Sequence, residues 1–307
     1  MLIFLSLVLK ILPFYALMLL GFLATRFLNV QRESISRLLI YVILPVIVFF
    51  GAYQAPISWS IFMLPVIFYL LSSIISFVFY SIGKKIWISD STKNLLAHAS
   101  ATGNTGYFGL PLVFLLLSEQ AFSYAVLVIM GISLFENSLG FFYVAKGSHS
   151  TRDSLLRVAK LPVLYAFVLG FLFNTLGIKL PSILFTTLSH FKGAYTVLGM
   201  MLLGMGLVYV GFHHIDWKYM GLAFTAKFLV WPLVIGLLIF TDANFFNFYN
   251  PDIYKVMLIM SIVPLAINNV AFAIELKVHP EKSAITVLLS TILALFLIPL
   301  FAVAFIF

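Results

Sequence analysis

The sequence predicts an all-α polytopic membrane protein of ten transmembrane helices, arranged as two inverted five-helix repeats. Three observations predict it. The 307 residues are 63% hydrophobic and only 9% charged, with a mean hydropathy of +1.14, whereas a water-soluble chain carries about 25% charged residues. Ten apolar segments each reach the roughly 20 residues that a helix needs to cross hydrocarbon. A twelve-residue motif recurs, and each copy opens a block of five such segments.

The ten segments are 2–25, 35–53, 60–82, 93–118, 122–145, 158–177, 194–212, 218–240, 253–276 and 283–306. The first reads as a retained span, because no basic leader or small-residue cleavage site accompanies Leu2 to Thr25. The connections are too short to hold a soluble domain. The expected units are therefore 1–145, a cytoplasmic linker 146–157, and 158–307. With ten spans, thirteen basic residues fall on the side opposite the N-terminus. Only Lys179, Lys192 and Lys255 fall on the other. Basic loops stay in the cytoplasm, so both termini are expected outside it.

Composition also excludes function classes. There is no cysteine, hence no thiolate nucleophile and no Cys-ligated metal. The net charge of +8 is scattered through short loops and forms no nucleic-acid groove. All five aspartates lie in loops or at span edges, against an intramembrane aspartyl protease. No His-Glu-x-x-His is present, against a zinc protease. No enzyme, cofactor or metal site is expected. His213, His214 and Asp216 share one short loop and read as interfacial.

The repeated motif is LPFYALMLLGFL at Leu12–Leu23 and LPVLYAFVLGFL at Leu161–Leu172, identical at six of twelve positions. Five spans per block is an odd number, so the second block crosses the membrane in the opposite sense. In each block the fourth span alone carries a polar, helix-breaking centre. Inverted repeats whose broken helices meet near the midplane mark secondary transporters.

Span four holds Thr102-Gly103-Asn104-Thr105-Gly106-Tyr107-Phe108-Gly109-Leu110-Pro111. Three glycines and a proline in ten residues cannot keep a regular helix. Unwound backbone at membrane depth must be buried in protein or line a wet cavity. The spacing is not a dinucleotide or phosphate-loop fingerprint. Span nine holds Pro264-Leu265-Ala266-Ile267-Asn268-Asn269. Two adjacent amides there can satisfy freed backbone, bond a neighbouring helix, or bind a ligand. Half-helices that begin at the breaks aim partial positive charge and free N–H groups at the protein centre, which favours a carboxylate.

These motifs carry a resemblance. Gly103 to Pro111, Gly131-x-Ser133-x-x-x-Asn137, and Phe272 to Pro280 resemble the auxin efflux carrier family. That family includes plant PIN-type carriers and bacterial carriers associated with malonate and malate. Lys227 to Pro232 and Leu289 to Pro299 fit its eighth and tenth spans. The resemblance implies a bile-acid-symporter-like fold in which spans four and nine cross. Spans 1, 2, 6 and 7 would form a scaffold that dimerises, and spans 3–5 and 8–10 a moving transport unit. It implies a small organic anion as partner, bound at the crossover, and a bacterial inner membrane. The substrate-binding residues are then expected at Asn104, Thr105, Gly106, Tyr107, Pro111, Asn137, Pro264, Asn268 and Asn269. Two departures argue against auxin itself: no long loop joins spans five and six, and Asn269 stands where the plant crossover has proline.

Four charges lie in or near spans: Lys10, Glu136, Lys227 and Glu275. Each costs a few kcal/mol in hydrocarbon. Lys10 and Glu275 are near span ends and can snorkel. Glu136 and Lys227 are deeper, and two readings are open: a structural ion pair, or a proton-coupling carboxylate with an anion-attracting lysine. His98 is either a proton carrier or a packing histidine. The function expected is a secondary carrier of small organic anions. The alternatives are a channel, an ion-coupled symporter of another solute, or a receptor subunit with no need of a repeat.

Overall fold

The computed structural model describes residues 2–145, 162–206 and 215–306. The linker 146–157, the first residues of the sixth segment, residues 207–212 of the seventh, and His213 and His214 lie outside the described residues. No strand occurs among those described.

The helices are α1 (Leu2–Leu28), α2 (Arg32–Gln54), α3 (Trp59–Ile86), α4a (Thr92–Ala101), α4b (Thr105–Leu116), α5 (Glu119–Val144), α6 (Pro162–Thr175), α7 (Ser182–Gly206), α8 (Trp217–Phe246), α9a (Pro251–Ile262), α9b (Asn268–Glu275) and α10 (Pro280–Phe305). Six of them, α1, α2, α3, α5, α8 and α10, are long and apolar enough to cross a membrane. The others are the interrupted pairs α4a/α4b and α9a/α9b, α6, of which 14 residues are described, and α7, whose first half is polar. The outward faces carry large exposed apolar side chains, among them Phe77, Leu237 and Phe296. Such faces suit hydrocarbon rather than water.

Proline shapes the helices from within. Wide π-helical turns occur at Leu39–Ile43, Thr105–Gly109 and Ala226–Val230. Pro45, Pro111 and Pro232 each follow one of them by two residues. A mid-helix proline supplies no N–H and its ring crowds the carbonyl four residues back. The preceding turn widens to relieve that crowding.

The repeated motif has the same packing role twice. A Cβ on Gly21 of α1 would run into the carbonyl oxygen of Met201 in α7. A Cβ on Gly170 of α6, the equivalent position in the second copy, would run into the carbonyl oxygen of Phe49 in α2. Glycine lets two backbones approach this closely where a side chain would hold them apart. So α1 packs on α7 and α6 packs on α2. The remaining helices pack on one another, α3 against α4a and α5, α8 against α4a and α9a, and α10 against α9a and α9b, while α10 also meets α1 and α5 meets α2.

Candidate functional site: the paired helix breaks

The fourth helix stops after Ala101, and Thr102 turns extended at φ −119°, ψ 141°. The ninth stops after Ile262, and Val263 is extended at φ −59°, ψ 152°. Val263 precedes Pro264, whose ring disfavours helical backbone at the residue before it. The two freed stretches satisfy each other. Gly103 and Leu265 form an antiparallel bridge. Asn104 N–H donates to the Pro264 carbonyl at 2.8 Å. Leu265 N–H donates to Ser290 Oγ at 3.1 Å. Unwound backbone is thereby buried with partners, as hydrocarbon requires.

On one side of the paired breaks lies a cavity of about 370 Å³. Its inner wall is Gly103 to Tyr107 and Ala266 to Asn268, the starts of α4b and α9b. It runs toward the helix ends that carry Arg32 and Glu275, past Ser36, Ser133, Glu136, Asn137 and Tyr195. Asn104 is 4% exposed, and its Nδ2 has no protein partner. A buried amide left unpaired costs about 1–3 kcal/mol, and the residue that carries this one is part of the cavity wall. Asn268 Nδ2 donates to Glu136 Oε2 at 3.1 Å. Asn137 Nδ2 donates to the Ser133 carbonyl at 2.9 Å. The Tyr107 and Tyr195 rings lie 5.7 Å apart at the cavity wall.

Six expected binding residues line this cavity: Asn104, Thr105, Gly106, Tyr107, Asn137 and Asn268. Three do not. Pro111 is buried in the first turn of the helix beyond the π-turn. Pro264 contributes its carbonyl to the bridge. Asn269 is fully buried and engaged within the protein: Oδ1 meets His98 Nδ1 at 2.6 Å, and Nδ2 donates to Thr102 Oγ1 at 3.2 Å and to the Ala266 carbonyl at 2.9 Å. Helical geometry explains the difference, since consecutive residues point about 100° apart.

The ionisable residues divide as well. Glu136 and Glu275 line the cavity, whereas Lys227 and His98 do not. Glu136 and Lys227 do not pair. Glu136 accepts from Asn268, and Lys227 Nζ donates to the Met260 carbonyl at 3.3 Å on the far side of the breaks. Lys10 is exposed on α1. Arg32, Ser36 and Tyr195 are cavity residues that the sequence did not disclose. Arg32 counted only as one more basic residue of a loop, and Tyr195 has no motif around it.

A larger cavity of about 460 Å³ lies between Phe114, Phe122 and Lys192. Lys192 Nζ sits 4.0 Å from the Phe122 ring centroid and 3.9 Å from Glu119. None of the side chains lining it is a buried polar group without a partner. The smaller cavity is therefore the candidate site.

Comparison with known proteins points to membrane transport. Residues 6–148 match a family model described as membrane transport protein, that of the auxin efflux carrier family. The protein is a membrane transporter. A protein of Methanothermobacter thermautotrophicus named as an uncharacterized transporter is 26% identical over 305 residues, covering 97% of this chain and 96% of the relative. The transporter's family match ends at residue 148, so it includes α4a, α4b and α5 but stops short of α9. The second break is known from the coordinates and from its own sequence motif.

Proposed function

We propose that the protein is a secondary carrier of small organic anions that holds a substrate carboxylate at the crossover of the fourth and ninth helices. The observation that carries this reading is Asn104, a residue of the cavity wall at the start of α4b beside the start of α9b, whose buried Nδ2 has no protein partner. Two helix N-termini and a spare amide donor converge there. Each favours an anionic oxygen. Arg32 brings positive charge to the same cavity, which Glu136 and Glu275 also line.

In this reading ten helices cross the membrane as two inverted repeats, divided near residues 146–157. The exchange of partners in α1–α7 and α6–α2, with Gly21 and Gly170 in equivalent places, supports the repeat. Helices α1, α2, α6 and α7 serve as scaffold and as the surface through which two copies associate. Helices α3–α5 and α8–α10 carry the substrate. The cavity opens toward the end of the bundle where Arg32 and Glu275 lie, which the distribution of basic residues makes cytoplasmic. The state described is then inward-open, in a cell membrane with both termini outside the cytoplasm.

A thermal-shift screen of mono- and dicarboxylates on purified protein, followed by counterflow in liposomes, tests the reading. Stabilisation by a carboxylate, with saturable counterflow of the same compound, is expected. Conductance without saturation favours a channel. Failure of every carboxylate to stabilise or exchange removes the anion assignment.

A further inference from the structure

The side of the breaks away from the cavity has its own chemistry. Helices α4a and α9a both end there, and their last carbonyls have no helical partner. A helix C-terminus carries roughly half a negative charge, so two of them converge in a buried place. One helix, α8, supplies donors to both. Trp231 Nε1 donates to the Ser100 carbonyl of α4a at 2.9 Å. Lys227 Nζ donates to the Met260 carbonyl of α9a at 3.3 Å. The two side chains are four residues apart, on one face of α8. Both are about 1% exposed.

Lys227 reaches between the two ends. A Cβ on Gly103 would press on its Nζ, so the absence of a side chain there lets the ammonium lie against the first break. The Trp231 ring centroid is 5.2 Å from Nζ, close enough for a cation–π contact. Among the described residues no carboxylate forms an ion pair with Lys227. Its hydrogen-bond acceptor is the Met260 carbonyl at the end of α9a, beside the end of α4a that Trp231 serves.

In carriers with broken helices, the C-terminal ends of half-helices coordinate a coupling sodium ion or proton. We propose that Lys227 is a resident cation that takes the place of such an ion, so that the crossover holds its shape with no bound sodium. The inference rests on the crossover reading above and concerns the ion requirement of that same site. It assigns Lys227 a positioning role, acting through the two helix ends and never touching substrate.

The test needs no substrate. Thermal unfolding of wild type, Lys227→Ala and Lys227→Met is measured in choline chloride, in sodium chloride, and in choline chloride with propylammonium, the missing piece of the lysine side chain. Wild type is expected to unfold at one temperature in all three. Lys227→Ala is expected to unfold several degrees lower in choline and to regain much of the loss with propylammonium or sodium. Lys227→Met fills the space without charge, and is expected to stay low in every salt. A Lys227→Met protein as stable as wild type overturns the proposal. So does a Lys227→Ala protein indifferent to both added cations. If Lys227→Ala cannot be purified, Lys227→Met decides alone. Loss of carboxylate binding in Asn104→Ala with the cation responses unchanged separates this proposal from the binding-site assignment.

Discussion

Asn104 and Asn269 carry the same amide, yet only one keeps it available. Asn104 Nδ2 is buried at the cavity without a protein partner. Asn269 joins His98, Thr102 and Ala266 across the two breaks. Asn104→Ala removes a donor that no protein group uses. It is expected to weaken carboxylate binding by about tenfold, the worth of one hydrogen bond to a charged group, and to leave the melting temperature near that of wild type. Asn269→Ala removes a hydrogen bond from each of three buried partners and leaves His98 Nδ1 without one. It is expected to cost about 1–3 kcal/mol of stability, with ligand affinity nearly kept in the protein that still folds. Melting curves and ligand titrations on both variants check this. The reverse pattern would exchange their roles.

At the scale of elements, two contacts hold the bundle in ways that single substitutions can probe. Gly21 and Gly170 each meet a facing carbonyl with no room for a methyl group. Gly21→Ala and Gly170→Ala are each expected to destabilise by about 1–3 kcal/mol, the usual cost of overpacking. Gly236 on α8 has open space around it, and Gly236→Ala should be silent or slightly stabilising. Equal stability of all three variants would remove the close-packing role of the repeated motif. The second contact is a polar knot that ties the starts of α4a, α8 and α10. Asp90 Oδ1 accepts from Thr92 N at 2.8 Å, from Thr92 Oγ1 at 2.9 Å and from His279 Nε2 at 2.7 Å. Lys282 Nζ lies 3.0 Å from both Thr92 Oγ1 and Asp216 Oδ2. Asp216 also caps α8 by accepting from Tyr219 N–H at 3.0 Å.

Partial burial pushes the Asp90 carboxyl upward. The Thr92 N–H, the Thr92 hydroxyl and His279 outweigh that push and hold it at about 2. Burial is likewise outweighed at Asp216, where Tyr219 and Lys282 hold the carboxyl below its ordinary value. A depressed carboxyl stabilises the fold above its unfolded value of about 4, and that stability fades as pH falls toward the folded value. Wild type is therefore expected to outlast Asp90→Asn at neutral pH, with the gap closing between about pH 4 and pH 2. A gap that stays constant through that window would detach the knot from the Asp90 charge.

For the whole molecule, the orientation proposed above makes one demand that can be measured. The chain has no cysteine, so single cysteines report position without background. Ser148→Cys, in the linker between the two halves, is expected to react with an impermeant thiol reagent only from the cytoplasmic side. Asn247→Cys, between α8 and α9a, is expected to react only from outside. Labelling of Ser148→Cys from outside would invert the topology, and labelling of both from one side would break the ten-span count.

What the sequence determined by itself follows from chemistry local to the chain. Apolar runs, glycine, proline and paired amides act on backbone and solvent wherever they sit. The helical segments, the two breaks and the repeated Gly-Phe-Leu motif were therefore legible in the residues alone, as was a role in membrane transport. Five of the six expected binding residues that reach the cavity do so for the same reason, since the breaks themselves place Asn104 to Tyr107 and Asn268. Other assignments depended on which way a side chain points and on what faces it from a distant helix. Asn268 and Asn269 are neighbours in sequence, but the step of about 100° between consecutive helical residues sends the first to the cavity and the second to His98. Glu136 and Lys227 looked like a pair because each is costly alone in hydrocarbon. Only the tertiary structure supplied the partners, Asn268 for one and the carbonyl end of α9a for the other. A carbonyl oxygen has no signature in sequence, because every residue carries one, and packing alone decides which of them a buried ammonium will find.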